Sequence, residues 1–265
     1  MGVVNVTPDS FSDGGRWLEA DAAVDHGLSL RDAGAALVDV GGESTRPGAA
    51  RPTLEAELAR VVPVVRGLAA AGLTVSVDTM RAAVAEAALA AGATLVNDVS
   101  GGLADPAMAE VVAAAGVEMI AMHWRGHSAD MQSRAHYDDV VVDVCRELAA
   151  RVDALTAAGI PPERILLDPG LGFAKTPEHN WALLRRLEEI AALGHRVVVG
   201  TSRKRFLGVV GRLPGHERAV QDRDVATAVT SAYAASAPVW AVRVHDVVAT
   251  RDAFDVVAAM GGGFA

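Results

Sequence analysis

The residues best equipped for chemistry stand at the ends of short apolar runs: Asn5, Asp39, Asp78, Asn97, His123, Asp168 and His245. Lys204 follows another such run by a few residues. Two carboxylates and a carboxamide, Asp78, Asp168 and Asn97, can pair with a flat heterocycle bearing adjacent N–H donors, such as a guanidine-like edge. Any one of them could instead cap the helix after its run; three at equivalent places are harder to explain that way. Asp168-Pro169-Gly170-Leu171-Gly172-Phe173 adds glycines that would let a planar ligand lie against backbone. Arg243 and His245 alternate with Val244 and so face one side of a strand, where two such donors suit a diphosphate.

Three polar loops extend the set. Asn5-Val6-Thr7-Pro8-Asp9-Ser10-Phe11-Ser12-Asp13-Gly14-Gly15 is rich in turn formers and reads either as a surface turn or as a lid carrying Phe11. Its length favours the lid, since connections of this type need only ~2 to 6 residues. Gly41-Gly42-Glu43-Ser44-Thr45-Arg46-Pro47-Gly48 offers a guanidinium and two hydroxyls among glycines, a composition that suits an anionic group. Thr201-Ser202-Arg203-Lys204-Arg205-Phe206 holds a basic triplet, in most proteins a solvated loop. After the seventh strand of a barrel, it would fall where phosphates bind.

His123, His127 and His136 are too widely spaced for an i, i+4 metal pair. Oxygen donors dominate, so the ion that fits is Mg²⁺, held by a side-chain oxygen of Asn5 and by substrate phosphates. A Ser/His/Asp hydrolase has little support, because no Gly-x-Ser-x-Gly elbow occurs.

Eight apolar runs must position these groups: 2–6, 36–40, 74–77, 94–96, 118–122, 164–167, 196–199 and 239–244. Most are β-branched and apolar on both faces, as in parallel strands covered on both sides. Helical patterns lie between them. The clearest sets Val141, Val144, Cys145, Leu148, Val152 and Leu155 on one stripe, with Asp143, Arg146, Glu147 and Arg151 outside it. Cys145 therefore reads as a small buried apolar residue. Gly34, Gly72, Gly92, Gly116, Gly159 and Gly194 each precede a strand, where a helix C-terminus needs a left-handed residue. Asp105-Pro106 reads as an N-cap followed by Pro at the first helical position. Eight β-then-α units favour a closed barrel over an open sheet of five or six strands. The expectation is an α/β protein, a single-domain (β/α)8 TIM barrel spanning 1–265. Its long loops (7–17, 41–53, 123–137, 201–222) follow the strands and carry the function.

Composition excludes several classes. The formal net charge of −9 disfavours nonspecific nucleic-acid binding. An anionic substrate would need local donors instead. No apolar run approaches the ~18 to 20 residues of a membrane span, and no signal peptide is recognisable, so a cytoplasmic location without membrane partners is expected. The sole cysteine, Cys145, rules out an intramolecular disulfide.

In seven ordered blocks the chain resembles the dihydropteroate synthase family of bacteria. Gly2-Val3-Val4 with the first loop above, to Gly15, is similar to one of its signatures, and Asp39-Val40 with the second loop, to Gly48, resembles the other. Ser76-Val77-Asp78-Thr79, Asn97-Asp98-Val99-Ser100-Gly101-Gly102, Asp168 to Phe173, Ser202-Arg203-Lys204 and Arg243-Val244-His245-Asp246 follow in order. The resemblance implies a barrel that joins 6-hydroxymethyl-7,8-dihydropterin diphosphate to p-aminobenzoate and releases pyrophosphate, a step of folate biosynthesis. It implies that Asp78, Asn97, Asp168 and Lys204 hold the pterin, that Arg243 stacks on it, and that Arg243 and His245 bind the diphosphate. Asn5 would contact Mg²⁺ and phosphate. Asp9, Phe11, Thr45 and Arg46 would order around the leaving group, and Phe11, Pro47, Ser202 and Lys204 would border the p-aminobenzoate pocket. Catalysis would rest on Asp9, Phe11, Arg46, Asp78 and Lys204. Sulfonamides would compete with p-aminobenzoate, and the family implies a homodimer.

The chain opens on Met1-Gly2, where family members carry further residues; the expected consequence is lower stability with no motif lost. His123-Trp124-Arg125 departs from the commonest family pattern and receives no role. Two other readings compete. A pterin-binding methyltransferase serving a corrinoid protein would share the carboxylates but would not need Arg46, Lys204, Arg243 and His245 for a diphosphate. A silent pterin-binding paralogue would have lost site residues, and none is missing here.

Overall fold

The computed structural model describes residues 1–7, 16–43, 51–127, 131–213, 215–261 and 263. Strands and helices alternate: β1 (Gly2–Asn5), α1 (Arg16–Asp32), β2 (Val38–Gly41), α2 (Leu54–Ala70), β3 (Val75–Asp78), α3 (Ala82–Ala90), β4 (Leu95–Asp98) and α4 (Met108–Ala115). The order continues through β5 (Glu118–Met122), α5 (Val140–Ala157), β6 (Ile165–Asp168), α6 (Pro177–Arg185), α7 (Leu187–Ala191), β7 (Val198–Val199) and α8 (Arg205–Val209). It ends with α9 (Asp224–Ala234), β8 (Ala241–Val242) and α10 (Val247–Ala259).

β1 to β6 pair in sequence order, all parallel, and β7 pairs with β8. Parallel bridges join the two sets at both edges, Leu167 with Val197 and Gly2 with Val244. Backbone hydrogen bonds accompany them: Leu167 N–H donates to Arg196 O at 2.9 Å, and Val3 N–H donates to Val244 O at 3.0 Å. The ring therefore returns on itself, as the (β/α)8 reading requires.

Strand periodicity divides this barrel into an outside and an inside. Val4, Val38, Val40, Val75, Val77, Val96, Met119, Ala121, Ile165 and Leu167 join the large core that packs against the helices. The alternate positions face inward. At the bottom, Met1, Leu37, Leu95, Ile120, Leu166 and Val198 form a separate apolar plug. Two residues further along three of these strands the inner face turns polar, with Asp39 after Leu37, Asn97 after Leu95 and Asp168 after Leu166; Val3 after Met1 and Met122 after Ile120 stay apolar. β5 is apolar on both faces to its upper end, as the sequence reading has it, whereas β2, β4 and β6 turn polar on the inner face at Asp39, Asn97 and Asp168.

Other expectations also change. β7 and β8 are two residues each rather than four and six. Trp240 and Ala241 N–H both reach Val197 O, at 2.8 and 3.3 Å, so the ladder is irregular there. The six glycines do take positive φ, from +63° at Gly116 to +112° at Gly92. Asp105 does not cap α4. Its Oδ2 accepts the Ala82 N–H at 2.8 Å, at the start of α3, and its Oδ1 accepts Ala107 N–H at 3.1 Å. On α5, Val141, Val144, Leu148 and Leu155 are buried as expected, but Cys145 is only half-buried. Asp143, placed outside the stripe, is buried, because its carboxylate accepts the Asp138 N–H ahead of the helix. Glu147 is likewise committed, through partners on the neighbouring strand end.

Candidate active site

Arg243, on the inward face just beyond β8, is the centre of the polar inner layer. Its Nε donates to Asp39 Oδ2 at 2.6 Å and its Nη2 donates to Asp78 Oδ2 at 2.8 Å. Asn97 Nδ2 donates to the same Asp39 oxygen at 2.9 Å. Residues from β2, β3, β4 and the end of β8 thus share one network. Burial pushes the Asp78 carboxyl up to about 7, against the pull of the Arg243 guanidinium. Asp39 Oδ1 is buried without a hydrogen-bond partner among the described residues.

Asp168, at the end of β6, adjoins this group: a methyl carbon placed on Gly200 would lie 3.9 Å from both Asp168 Oδ2 and Arg243 Cβ. Asp168 Oδ1 accepts the Gly170 N–H at 2.7 Å. Burial raises its carboxyl, opposed by that hydrogen bond and by Lys204. Lys204, just ahead of α8, sets its ammonium 3.9 Å from the centre of the Phe173 ring. Its stem passes over Gly172, where a Cβ would come within 2.9 Å of Lys204 Cδ; φ at Gly172 is +80°. Burial lowers the Lys204 amine to about 8, with Asp168 opposing.

His245 occupies the next inward position. Ser202 Oγ lies 2.8 Å from its Nδ1 and accepts its backbone N–H at 3.1 Å, while Asn5 Nδ2 lies 3.3 Å from its Nε2. Burial first, then the Arg243 charge, pulls the imidazole down to about 3, so it is neutral at physiological pH. With the Asn5 amide donating to Nε2, the proton sits on Nδ1 and points at Ser202 Oγ. That leaves the serine hydroxyl hydrogen and the Asn5 carboxamide oxygen outside these two contacts.

The eight expected residues that are described, Asn5, Asp78, Asn97, Asp168, Ser202, Lys204, Arg243 and His245, therefore meet on one rim. Asp9, Phe11, Thr45, Arg46 and Pro47 lie outside the described residues. None of Asp78, Asn97 and Asp168 caps a helix: Ala82 N–H is held by Asp105, and α6 is capped by Thr176. Among the described residues no group of three or more His, Cys, Asp and Glu side chains is placed to hold a metal.

Two features escaped the sequence reading. Asp39, to which the sequence pattern assigns no role, is fully buried and pairs with Arg243. Its in-phase spacing from Leu37 was the available signal. The second is a buried string behind the Asp168 loop. Lys175 Nζ lies 2.9 Å from His123 Nδ1, and His123 Nε2 lies 2.9 Å from Glu147 Oε2.

Comparison with known proteins matches this geometry. Residues 1–245 match the family described as pterin binding enzyme. The dihydropteroate synthase of Mycobacterium leprae is 57% identical over 261 residues, covering 98% of this chain and 92% of the relative. The dihydropteroate synthase of Xanthomonas albilineans, solved with 4-aminobenzoic acid, superposes with a TM-score of 0.90 at 44% identity, covering 99% of this chain and 93% of that one. The Yersinia pestis dihydropteroate synthase, solved with a sulfonamide drug, gives a TM-score of 0.90 at 40% identity, covering 99% and 94%. The chain belongs to the dihydropteroate synthase family of pterin-binding enzymes.

Proposed function

We propose that the protein is a transferase of folate biosynthesis that condenses 6-hydroxymethyl-7,8-dihydropterin diphosphate with p-aminobenzoate, giving 7,8-dihydropteroate and pyrophosphate. The observation that carries this reading is the ring of Asp78, Asn97, Asp168 and Lys204 around one barrel mouth, next to Arg243 and His245. The carboxylates accept hydrogen bonds from the pterin's N–H edge, and Asn97 and Lys204 complete the hold. Arg243 lies across the pterin face and, with neutral His245 and the Ser202 hydroxyl, receives the diphosphate.

The aryl amine nitrogen attacks the pterin methylene carbon as its bond to the diphosphate oxygen breaks. Pyrophosphate leaves with that electron pair, and the amine proton passes to solvent. Positive charge growing on the methylene spreads into the pterin, where Asp78 and Asp168 stabilise it, while Arg243 balances charge on the leaving group. Removing one such stabiliser costs ~3 to 4 kcal/mol, a rate loss of ~10² to 10³. Asp9, Phe11, Thr45 and Arg46 are assigned to the leaving group, and Phe11, Pro47, Ser202 and Lys204 to the p-aminobenzoate pocket.

Mg²⁺ fits the donors present. Asn5 turns its amide nitrogen to His245, which leaves a hard carboxamide oxygen at the rim, and an ion that keeps waters and phosphate oxygens needs few protein ligands. Bound there, the ion would stabilise negative charge on the diphosphate.

Among the described residues no helix is long and apolar enough to cross a membrane; a cytoplasmic location is proposed, with neither membrane nor nucleic acid as partner. A homodimer is proposed from the outward apolar stripe Val225, Val229 and Tyr233 on α9. The deciding assay is pyrophosphate release with the pterin diphosphate, with and without p-aminobenzoate and Mg²⁺. Release that depends on both substrates is expected; its absence would reject the synthase reading. Sulfonamides should raise the apparent KM for p-aminobenzoate without changing kcat. Inhibition indifferent to p-aminobenzoate concentration would reject that pocket.

A further inference from the structure

We propose that Lys175 is a positioning residue for the pterin pocket, its buried amino group pinning the loop between β6 and α6 so that Asp168 and the Phe173 ring stand where the ligand needs them. The inference rests on the assignment of Asp168 and Lys204 to the pterin.

Lys175 is 4% exposed, and its Nζ has two close partners: Phe173 O at 3.2 Å and His123 Nδ1 at 2.9 Å. The Glu147 carboxylate can only accept, so His123 Nε2–H donates to its Oε2 at 2.9 Å and Nδ1 is left to accept from the Lys175 amine. Arg125 Nε donates to the same Glu147 oxygen at 3.1 Å, and its guanidinium lies 3.8 Å over the Tyr137 ring. The Tyr137 hydroxyl then donates to Ala174 O at 3.0 Å. The string thus leaves the loop at Phe173 O and returns to it at Ala174 O, one residue later.

Between those carbonyls the backbone is strained. Ala174 has φ +47°, a left-handed conformation that a residue with a Cβ avoids. Such strain persists only where surrounding contacts over-determine it, and here Lys175 and Tyr137 supply them. The held loop does two things for the pocket. Phe173 carries its ring under the Lys204 ammonium. Gly170 offers its N–H to Asp168 Oδ1 and sits so close to His123 O that a Cβ there would overlap it. His123 N–H also donates to Asp168 O at 2.9 Å, tying the string's own root to the strand end. Burying an amine is costly, and burial lowers this one to about 7. A methionine would fill the space without that penalty, so a lysine here needs a reason beyond packing.

The test compares Lys175→Met with two changes at His123. In His123→Asn the carboxamide oxygen can replace Nδ1 as acceptor and keep Lys175 in place; in His123→Leu it cannot. Lys175→Met and His123→Leu should raise KM for the pterin diphosphate about tenfold, equivalent to ~1.4 kcal/mol, and weaken its binding in a direct titration to match. KM for p-aminobenzoate should stay within about twofold, and His123→Asn should behave as wild type. Should Lys175→Met fail to fold, the contrast between the two His123 variants still decides. An unchanged pterin KM, equal changes in both KM values, or identical His123→Asn and His123→Leu would each overturn the proposal. Asp168→Ala serves as the reference: if it loses pterin affinity while Lys175→Met keeps it, the tie alone is wrong. If Asp168→Ala keeps affinity, the pocket assignment falls and the tie with it.

Discussion

Asp168 has two duties on opposite oxygens. Oδ1 accepts the Gly170 N–H, and Oδ2 faces the inner layer near Gly200 and Arg243. Asp168→Ala removes one loop hydrogen bond, a loss of ~1 kcal/mol, which in a chain of this size shifts Tm by about 2 to 4 °C. Pterin binding, by contrast, should disappear from a fluorescence titration. A collapse of the calorimetric transition would instead mark the residue as structural. His123 gives a prediction of a different kind. Burial, reinforced by the Lys175 charge, lowers its imidazole from an ordinary 6.5 to about 4. Above pH 6.5 both folded and unfolded forms are neutral and it contributes nothing. As pH falls from 6.5 to 4 the unfolded chain takes up a proton that the folded chain refuses, so stability drops by up to ~1.4 kcal/mol per pH unit. His123→Asn lacks that proton, so its urea-unfolding free energy should fall less steeply between pH 6 and 4.5. The depressed His245 has the same sign and the raised Asp78 the opposite one, but both act in either protein. Parallel curves would show that His123 is not held neutral.

At the scale of elements, all eight strands were legible, most to within one or two residues, because apolar β-branched runs bounded by Gly and polar residues leave few alternatives. What failed did so for identifiable reasons. β7 and β8 contracted because pairing around Val197 is irregular, and ladder geometry leaves no composition signal. Asp143 and Glu147 looked like the outer face of α5 because periodicity reports the helix alone, not the loop and strand end that reach it. The site residues at strand ends were visible, but the bond from Asp39 to Arg243 spans 204 residues and depends on barrel closure. The Asp168 loop allows a controlled test of how tightly its elements fit. Gly170 and Gly211 have nearly equal angles, φ +68° and +66°, but a Cβ on Gly170 meets backbone while none lies within 4 Å of Gly211. Gly211→Ala should therefore cost only the left-handed penalty of ~1 to 2 kcal/mol. Gly170→Ala should cost ~1 to 3 kcal/mol more, the usual range for overpacking. Chemical denaturation of the two variants side by side measures the difference, and equal losses would mean that the loop yields.

For the whole molecule, charge and surface argue in different directions. A net charge of −9 repels a diphosphate at long range, so capture depends on cations gathered at one rim, where the half-buried Lys204 and Arg243 stand beside the carboxylates of Asp168, Asp39 and Asp78. The outside of the barrel shows the reverse arrangement. α9 packs against α10, yet Val225, Val229 and Tyr233 are 76%, 63% and 54% exposed. Four-residue spacing puts them on one stripe, and Val248 and Val256 on α10 are also largely exposed. A stripe of this kind on an acidic protein fits a contact between two copies, because apolar burial is indifferent to like charge while a charged interface would be opposed by it. Tyr233→Arg tests the point with little risk to the fold. The side chain is exposed, and a cation in the last turn of a helix is favoured by the helix dipole. Sedimentation should show a dimer for the wild type and a monomer for the variant, with Tm changed by no more than a few degrees. A wild type that sediments as a monomer, or a variant that stays dimeric, would remove α9 from the interface.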